Sequence, residues 1–331
     1  MTDLSTRYMG LELRSPLIAA SSGLTDNIAN IKRFEESGVG AVVLKSLFEE
    51  EIRREKEAKL AKMSSSGFLY PETLEFYDYN DEADSESTMK YLDLIRGTKS
   101  KVGIPVIASI NCVTADQWTY FPRELELAGA DALELNVFIM PSDLLRTSEE
   151  NEKIYFDIIK EVTSRVKIPV ALKVSYYFSD LAIALKKFSE SGIGGLVLFN
   201  RFYSPDIDID TMEITTSSVL SSASDYTNAL RWIAIMHDHV SCDLAASTGV
   251  HDGKTMIKMI LAGADVVQVA SAFYKNGVDH AVVMLNELKT WMDSRGFSST
   301  DDFRSMMSNH ETGNPAAFQR VQFMKYFRGQ G

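Results

Sequence analysis

A turn signal that recurs four times, eight short apolar runs and polar residues at the ends of those runs predict an α/β protein. The predicted architecture is a (β/α)8 TIM barrel with long loops on the C-terminal face and a helical C-terminal tail. The chain has 331 residues, of which 45% are hydrophobic, and this is enough to bury one large core. We expect residues 1–295 to form the barrel and residues 296–331 to form a helical extension packed on it.

The turn signal consists of a small residue, a glycine, an apolar residue and then glycine or aspartate, followed by an apolar run. Each copy follows a segment with helical apolar spacing, so its glycine stands where a helix takes a left-handed cap. The apolar run that follows has the length of a strand buried on both faces. The pattern is therefore typical of the turn from a helix into a parallel strand. The four copies are Ser37–Gly40, Ala128–Asp131, Ser191–Gly194 and Ala262–Asp265.

Four further apolar runs bring the number of predicted strands to eight. Two of them follow Ile-Pro-Val at residues 104–106 and 168–170, and proline is tolerated as the first residue of a strand. Most of the runs are separated by one helix and two turns, and eight such units close into a barrel. An open, doubly wound sheet is the structural alternative. The predicted strands begin near Pro16, Ala41, Pro105, Ala132, Pro169, Gly195, Asp243 and Asp265.

Three regions lie outside this repeating unit. Residues 48–98 and 201–224 are too long for one crossover, and both follow strands. We therefore expect both on the C-terminal face of the barrel, where long loops usually cover an active site. In the tail from Ser298 onward, apolar residues recur at helical spacing, which predicts two amphipathic helices packed on the barrel.

The composition narrows the classes of function. The formal net charge is −12, whereas a protein that binds duplex nucleic acid normally has a basic face. The two cysteines, Cys112 and Cys242, have no CxxC spacing, so neither a disulfide framework nor a metal site is expected. The N-terminus has neither a charged segment before a long apolar run nor a membrane anchor. We expect a cytoplasmic protein without nucleic-acid or membrane partners.

Polar residues stand at the C-terminal end of each of the first six predicted strands, where a barrel of this kind builds its active site. A lysine that closes an apolar strand costs several kcal/mol to bury unless it is paired, and both Lys45 and Lys173 hold such positions. Three amides and two ammonium groups on one rim suit a flat heterocycle rich in carbonyls and ring nitrogens. The strand-end residues are Ser21, Ser22, Gly23, Lys45, Ser46, Asn111, Asn136, Lys173 and Asn200.

The last two strands predict a phosphate site. Small residues follow both of them, at Thr248 and Gly249 after the seventh strand and at Ala270 and Ser271 after the eighth. Backbone N–H groups and a short helix N-terminus at these two loops form the usual phosphate site of such barrels. Plain turn chemistry is the alternative. His251 follows the seventh-strand loop, and we interpret it as a loop or helix-start residue rather than a catalytic base.

Five motifs in a fixed order carry a resemblance to a known family. They are IASINC, AGADALELNV, VALKVSYYF, STGVHDG and AGADVVQVASAFYKNG. In this order they resemble the soluble, class 1 type of the dihydroorotate dehydrogenase family and the related barrel of dihydropyrimidine dehydrogenase. The resemblance extends from about Leu11 to Gly277. It implies FMN as cofactor and redox chemistry at flavin N5.

The resemblance also implies roles for individual residues. Lys173 would lie near flavin N1 and stabilise the anionic reduced ring, and we predict Lys173, Lys45 and Asn136 as catalytic residues. Lys45, Asn136, Asn200 and Arg201 would face the substrate. Thr248, Gly249, Ala270 and Ser271 would hold the FMN phosphate. The complete predicted cofactor site is Ser21, Ser22, Gly23, Lys45, Ser46, Asn111, Asn136, Lys173, Asn200, Ser221, Thr248, Gly249, Ala270 and Ser271.

The sequence departs from the family at the catalytic base. The family places a Cys or Ser three residues after the amide that corresponds to Asn136, and here Ile139 stands there. An aliphatic side chain cannot accept a proton. Ser142 is a weak substitute, which we interpret as a helix cap instead. The long-loop tyrosines Tyr70, Tyr77 and Tyr79 are other candidates, with aromatic packing as the competing interpretation.

Three functions remain open at this level. The first is an FMN-dependent oxidoreductase that oxidises dihydroorotate or a related cyclic substrate, with a cyclic, anionic small molecule and a second copy of the chain as partners. The second is a flavin-binding barrel without dehydrogenase turnover, which the absent base favours. The third is a lyase for phosphorylated ligands that uses Lys173 as a Schiff-base amine.

Overall fold

The computed structural model describes residues 2–55, 58, 86–112, 121–201 and 204–319. The strands are β1 (Thr6–Tyr8), β2 (Leu11–Leu13), β3 (Leu17–Ala19), β4 (Ala41–Val43), β5 (Leu47–Phe48), β6 (Val106–Cys112), β7 (Ala132–Val137), β8 (Val170–Val174), β9 (Gly195–Leu198), β10 (Pro205–Asp208), β11 (Glu213–Thr216), β12 (Asp243–Ser247) and β13 (Val266–Val269). The helices are α1 (Ile28–Glu36), α2 (Glu86–Lys99), α3 (Phe121–Leu127), α4 (Ser148–Arg165), α5 (Leu181–Ser189), α6 (Tyr226–Met236), α7 (Gly253–Ala262), α8 (Ser271–Asn276), α9 (His280–Arg295) and α10 (Ala316–Gln319).

Eight of these strands form a closed parallel barrel in the order β3, β4, β6, β7, β8, β9, β12 and β13. The barrel closes because β13 pairs in parallel with β3, where Gln268 lies opposite Ile18. All eight strands begin at or within one residue of the predicted positions. The predicted TIM barrel is confirmed, and an open sheet is excluded.

The predicted left-handed glycines are confirmed at all four copies of the turn signal. The backbone φ angles are +92° at Gly38, +101° at Gly129, +92° at Gly192 and +117° at Gly263. Each glycine ends a helix and turns the chain into the next strand. Only glycine adopts this conformation at low cost, so the repeated glycine in the sequence indicates each helix-to-strand turn.

Strand residues divide into two apolar clusters that alternate along each strand. One set packs against the surrounding helices, and the other fills the barrel interior. The antiparallel hairpin of β1 and β2 was not predicted from the sequence, and its residues Tyr8 and Met9 belong to the interior set. The backbone N–H of Met9 donates to Asp243 at the start of β12, at 2.6 Å. The hairpin therefore plugs the N-terminal end of the barrel.

The two long intervals differ in how much of them the structure describes. In the interval 201–224, which follows β9, residues 205–216 form the antiparallel hairpin of β10 and β11, as predicted for a long loop on the C-terminal face. Of residues 48–98, the structure describes a helical segment at 49–55, residue 58 and α2. Tyr70, Tyr77 and Tyr79 lie outside the described residues, and their proposed roles stay predictions.

The C-terminal tail packs along the N-terminal end of the barrel. Its described part contains a 3-10 turn at Thr300–Asp302 and the four-residue helix α10, both shorter than the amphipathic helices that the spacing predicts. Backbone N–H groups of Ser305 and Met307 donate to carbonyls at the end of α7. Phe303 is fully buried against Trp291, with ring centroids 4.9 Å apart. The division into units at residue 295 stays a prediction.

Arg304 joins this tail to the barrel by an ion pair with Asp265, at 2.9 Å. Burial raises the pKa of Asp265, opposed by the N–H of Leu244 and by Arg304. We expect Arg304→Ala to lower the free energy of unfolding by about 2–3 kcal/mol, because it leaves Asp265 buried without its counter-charge. Urea unfolding measures this loss. The matched control is Arg33→Ala, whose exposed pair with Asp279 is worth at most about 1 kcal/mol, and equal losses in the two variants would contradict the assignment.

Candidate functional site

A cavity of about 480 Å³ opens at the C-terminal ends of β3, β8, β9, β12 and β13. It is large enough for a substantial organic ligand, since ligand pockets typically measure about 300–1,000 Å³. Most of the predicted site residues meet around it. The predicted residues that line the cavity are Ser21, Ser22, Lys173, Asn200, Arg201, Ser221, Thr248, Gly249, Ala270 and Ser271.

Three predicted residues form one row across neighbouring strands. Asn111 of β6 lies opposite Asn136 of β7, and Asn136 lies opposite Lys173 of β8. Residues in register in parallel strands point to the same face of the sheet, so all three point into the barrel mouth. The side-chain amide of Asn200 donates to the Asn136 carbonyl oxygen at 2.7 Å. The structure thus brings the three predicted amides and one ammonium group to one side of the mouth.

Lys173 is buried and has two polar partners that the sequence analysis missed. Its ammonium donates to Glu134 at 3.4 Å and to the side-chain oxygen of Gln268 at 3.0 Å. The Gln268 amide nitrogen in turn donates to Glu134 at 2.5 Å. Glu134 and Gln268 are each 1% exposed. The prediction that a buried Lys173 needs a partner is confirmed, and an amine engaged in this pair is poorly suited to act as the neutral nucleophile of a lyase.

Lys45 does not share this buried environment. We expected a buried ammonium at the end of the second barrel strand, but β4 ends at Val43, and the Lys45 side chain is exposed to solvent. The expectation of burial was wrong because Lys45 belongs to the following loop. The next residue, Ser46, is buried, and its hydroxyl contacts those of Ser21 at 3.0 Å and Ser109 at 2.8 Å. A chain of three hydroxyls therefore joins β3, the loop after β4 and β6.

The remaining predicted residues lie at the edges of the cavity. Ser22 caps the 3-10 turn Gly23–Thr25, where its hydroxyl accepts from the N–H of Leu24 at 3.3 Å. A Cβ on Gly23 would come within 2.8 Å of the hydroxyl of Tyr274. Tyr274 lines the cavity but was not predicted, because nothing in its local sequence marks it. The structure therefore gives Ser22 and Gly23 a part in shaping the mouth.

The loops after β12 and β13 form the other end of the cavity. Thr248 and Gly249 have φ angles of +75° and +79°, and a Cβ on Gly249 would lie 2.1 Å from the backbone nitrogen of Tyr226. The Ser271 hydroxyl, at the start of α8, accepts from the N–H of Ser221 at 3.0 Å. Small residues thus hold two loops and the start of α6 in close contact. Backbone N–H groups in loops of this kind are typical phosphate ligands, and the phosphate site at these two loops stays a prediction.

Most donors of the Arg201 side chain are already used within the protein. Its guanidinium donates to Asp225 at 2.8 Å and to the carbonyls of Ser218, Val219 and Leu220 at 2.9, 3.2 and 3.1 Å. Four of its five N–H groups are used in this way. Arg201 thus anchors the 218–225 segment against the cavity, and its contact with a substrate anion stays a prediction.

His251 occupies the loop role that the sequence predicts for it. Its Nε2 lies 3.0 Å from the hydroxyl of Ser221, and the His280 ring lies 2.9 Å from its carbonyl oxygen. Burial lowers the pKa of His251 below its usual value, and the nearby charge of Lys275 lowers it further. A neutral imidazole at this point supports the Ser221 segment.

The lowered pKa gives an expected pH dependence. Below about pH 6.5 the unfolded chain binds a proton at His251 more readily than the folded chain does, so the free energy of unfolding falls as the pH drops. Between pH 7.5 and pH 5.5, we expect the free energy of unfolding of a His251→Gln variant to fall less steeply than that of the wild type. A His310→Gln control, at an exposed site, should keep the wild-type slope. Thermal unfolding across the pH series measures it. Identical slopes in wild type and His251→Gln would contradict the assignment.

Ile139 lies at a second cavity of about 310 Å³, outside the barrel mouth. Its backbone N–H lies 3.3 Å from the hydroxyl of Tyr155, and its side chain packs on the outer apolar cluster. Ser142 is exposed, and the cap of α4 is Thr147. The interpretation of Ser142 as a helix cap was therefore wrong, since a turn at residues 143–146 separates it from the helix. Neither residue lines the main cavity.

The fold and the site together define an α/β-barrel protein with a ligand site at the C-terminal ends of its strands. The family model described as "Dihydroorotate dehydrogenase" matches residues 3–292. The catalytic subunit of dihydroorotate dehydrogenase B (NAD(+)) of Thermoplasma acidophilum is 27% identical over 310 residues, which cover 91% of this chain and 98% of that protein. The corresponding subunit of Thermoplasma volcanium is 26% identical over 313 residues, 91% of this chain and 97% of that protein.

The chain belongs to the dihydroorotate dehydrogenase family, as the order of its motifs predicts. Enzymes of this family are oxidoreductases that use FMN to oxidise a CH–CH bond of dihydroorotate. The related subunit of Methanocaldococcus jannaschii is 24% identical over 282 residues, 83% of this chain and 89% of that protein. None of the described helices combines the length and the apolar character that a bilayer crossing requires.

Proposed function

We propose that the chain binds FMN and oxidises dihydroorotate or a closely related cyclic amide. The observation that supports it best is one cavity that is lined both by a buried lysine with amides and by the small residues of two loops. A phosphorylated, flat heterocycle requires these two kinds of contact at opposite ends. FMN, when bound, supplies the acceptor for the electrons of the substrate.

Within this proposal each group of residues has a distinct task. Thr248, Gly249 and Ser271 hold the phosphate by backbone and hydroxyl donors. Lys173 directs an ammonium at the ring system, where it stabilises added negative charge. Ser21 and Ser46, linked by their hydroxyls, line the ring or its side chain, together with Ser22, Gly23, Asn111, Ser221 and Ala270.

Two side-chain amides would bind the substrate. Within this hydrogen-bonded pair, Asn136 keeps its side-chain NH2 group as a donor and Asn200 keeps its side-chain oxygen as an acceptor for a cyclic amide. Lys45, exposed at the rim, is free to reach an anionic substituent, and Arg201 retains one donor for the same purpose. We therefore propose a cyclic, anionic small molecule as substrate, and a cytoplasmic location.

The experiment is purification of the protein with FMN, followed by anaerobic stopped-flow mixing with dihydroorotate and related dihydropyrimidines. We expect a yellow protein whose visible flavin absorbance is lost on mixing with at least one of them. A protein that stays colourless with added FMN contradicts the proposal. Asn200→Ala removes an amide from the proposed substrate side and should slow the loss of absorbance.

A second function, FMN binding without turnover, is favoured by Ile139. General-base catalysis is typically worth about 10²–10⁴-fold, and this side chain supplies none. Tight FMN binding with no reduction by any dihydropyrimidine would select this second function. The lyase alternative loses support, because Lys173 is held by Glu134 and Gln268.

We also propose that the chain forms a homodimer through the β10–β11 hairpin. Ile207 and Ile214 lie opposite each other on one face and are 68% and 78% exposed, whereas Asp206, Asp208 and Glu213 alternate with them on the other face. Two such hairpins stacked by their apolar faces keep the acidic faces outward. Sheets stack about 10 Å apart, so these charges stay beyond the screening length of about 8 Å.

Light scattering on the eluting protein tests the homodimer. We expect a dimer for the wild type and a monomer for Ile214→Asp, because the substitution places a charge at the centre of the apolar face. Thr216→Asp, at the margin of the same face, is the milder control. A monomeric wild type contradicts the homodimer. The relatives are named as catalytic subunits, so a different subunit would then be the next partner to test for the apolar face.

A further inference from the structure

The buried group of Glu134, Lys173 and Gln268 brings three strands together inside the barrel. Glu134 comes from β7 and Lys173 from the neighbouring β8, whereas Gln268 comes from β13, which pairs with neither of them. All three side chains therefore cross the barrel interior to meet. Lys173 and Gln268 line the main cavity directly. The group forms the floor of the site rather than part of the apolar core.

The orientation of the Gln268 amide follows from the charges at its two ends. Its oxygen accepts from the Lys173 ammonium at 3.0 Å, and its nitrogen donates to the Glu134 carboxylate at 2.5 Å. A flipped amide would place N–H groups against the ammonium and an oxygen against the carboxylate. Gln268 therefore bridges a cation and an anion and holds both in place.

The hydrogen bonds of Lys173 leave one donor of its ammonium group for a bound ligand. An ammonium has three donors, and two of them go to Glu134 and Gln268. The third is left for the cavity that Lys173 lines. Because Glu134 is 1% exposed, water does not screen its charge, and the carboxylate partly cancels the field that Lys173 exerts on a bound ligand.

We propose that Glu134 and Gln268 are positioning residues that aim Lys173 at the bound cofactor and, through the charge of Glu134, set its reduction potential. The inference rests on the proposed function only in requiring that FMN binds, not on which substrate is oxidised. A purely structural role would change stability alone. The potential is the quantity that separates the two roles.

The test is the midpoint potential of the FMN-loaded protein, measured by anaerobic titration against reference dyes. We expect Glu134→Gln to raise the potential, because Lys173 then faces the cofactor without its counter-charge. If the variant changes the ratio of the affinities for reduced and oxidised cofactor by about tenfold, the midpoint potential shifts by about 30 mV for a two-electron couple. The double variant Glu134→Gln with Gln268→Glu returns the carboxylate to Lys173 from the opposite strand and should restore the wild-type potential.

The control is Glu35→Gln, at the other end of the barrel, where Glu35 accepts from the N–H of Gly103 at 2.6 Å. It should lower stability without moving the potential. Where Glu134→Gln does not fold, Gln268→Glu alone is the second variant, and it should lower the potential. An unchanged potential in a folded Glu134 or Gln268 variant overturns the inference while the yellow colour leaves the proposed function standing. A colourless wild type overturns both.

Discussion

Lys173→Met is expected to slow substrate-driven reduction of the bound FMN by about 10²–10³-fold, the usual cost of removing one preorganised electrostatic group. Among the described residues, Lys173 is the one lysine that lines the main cavity. Its ammonium is held in place by Glu134 and Gln268. Methionine keeps the length of the side chain but supplies neither charge nor donor. Stopped-flow measurement of the reduction rate at saturating dihydroorotate gives the effect directly.

Loss of Lys173 also leaves Glu134 as an unpaired buried charge, which costs about 3–5 kcal/mol of stability. A slow variant could therefore reflect a partly unfolded protein. The double variant Lys173→Met with Glu134→Gln separates the two effects, since it removes both charges and should regain most of the lost stability. Its reduction rate should stay low. Recovery of the rate along with the stability would show that Lys173 acts on the fold and not on the cofactor.

Gly249→Ala should abolish high-affinity FMN binding and destabilise the fold. A Cβ there would lie 2.1 Å from the nitrogen of Tyr226 and 2.6 Å from the carbonyl carbon of Asp225, both backbone atoms. The left-handed φ adds about 1–2 kcal/mol, and overpacking adds about 1–3 kcal/mol. Displacing the loop should also remove charge-assisted bonds to the phosphate in the proposed site, worth about 1.5–3 kcal/mol each, and so weaken FMN binding about 100-fold.

Gly192→Ala is the matched control for this substitution. Gly192 has a φ of +92°, but a Cβ there would meet nothing within 4 Å, and the residue lies in a helix-to-strand turn at the opposite end of the barrel. We expect a loss of about 1–2 kcal/mol in stability and an unchanged dissociation constant for FMN, measured by fluorescence titration. Equal losses of FMN affinity in both variants would contradict the phosphate cradle.

The barrel could be predicted because its signals are local. Each copy of the turn signal places a glycine at a left-handed position, and Gly38 and Gly263 confirm the conformation that the pattern requires. The hairpin of β1 and β2 escaped prediction because its three-residue strands are too short to show a period. Its place is set by contacts with strands more than two hundred residues away, such as that of Met9 with Asp243.

The candidate site was predicted less completely, for a different reason. Strand ends identify Asn136, Lys173 and Asn200, but Glu134 and Gln268 lie within strands, away from those ends. A signal was available, since interior positions alternate along a strand. Ala132, Glu134 and Asn136 follow that alternation in β7. Applied to every strand, it would have shown polar residues stacked two positions below the rim.

The hairpin that plugs the N-terminal end of the barrel depends on partners that lie far away along the chain. The backbone N–H of Asp3 donates to the carbonyl of Ser298, and the backbone N–H of Met9 donates to the Asp243 carboxylate. During synthesis the hairpin therefore meets these partners only after more than two hundred further residues have been made. Such long sequence separation slows folding and prolongs the exposure of apolar strands, which makes the nascent protein dependent on protection from aggregation.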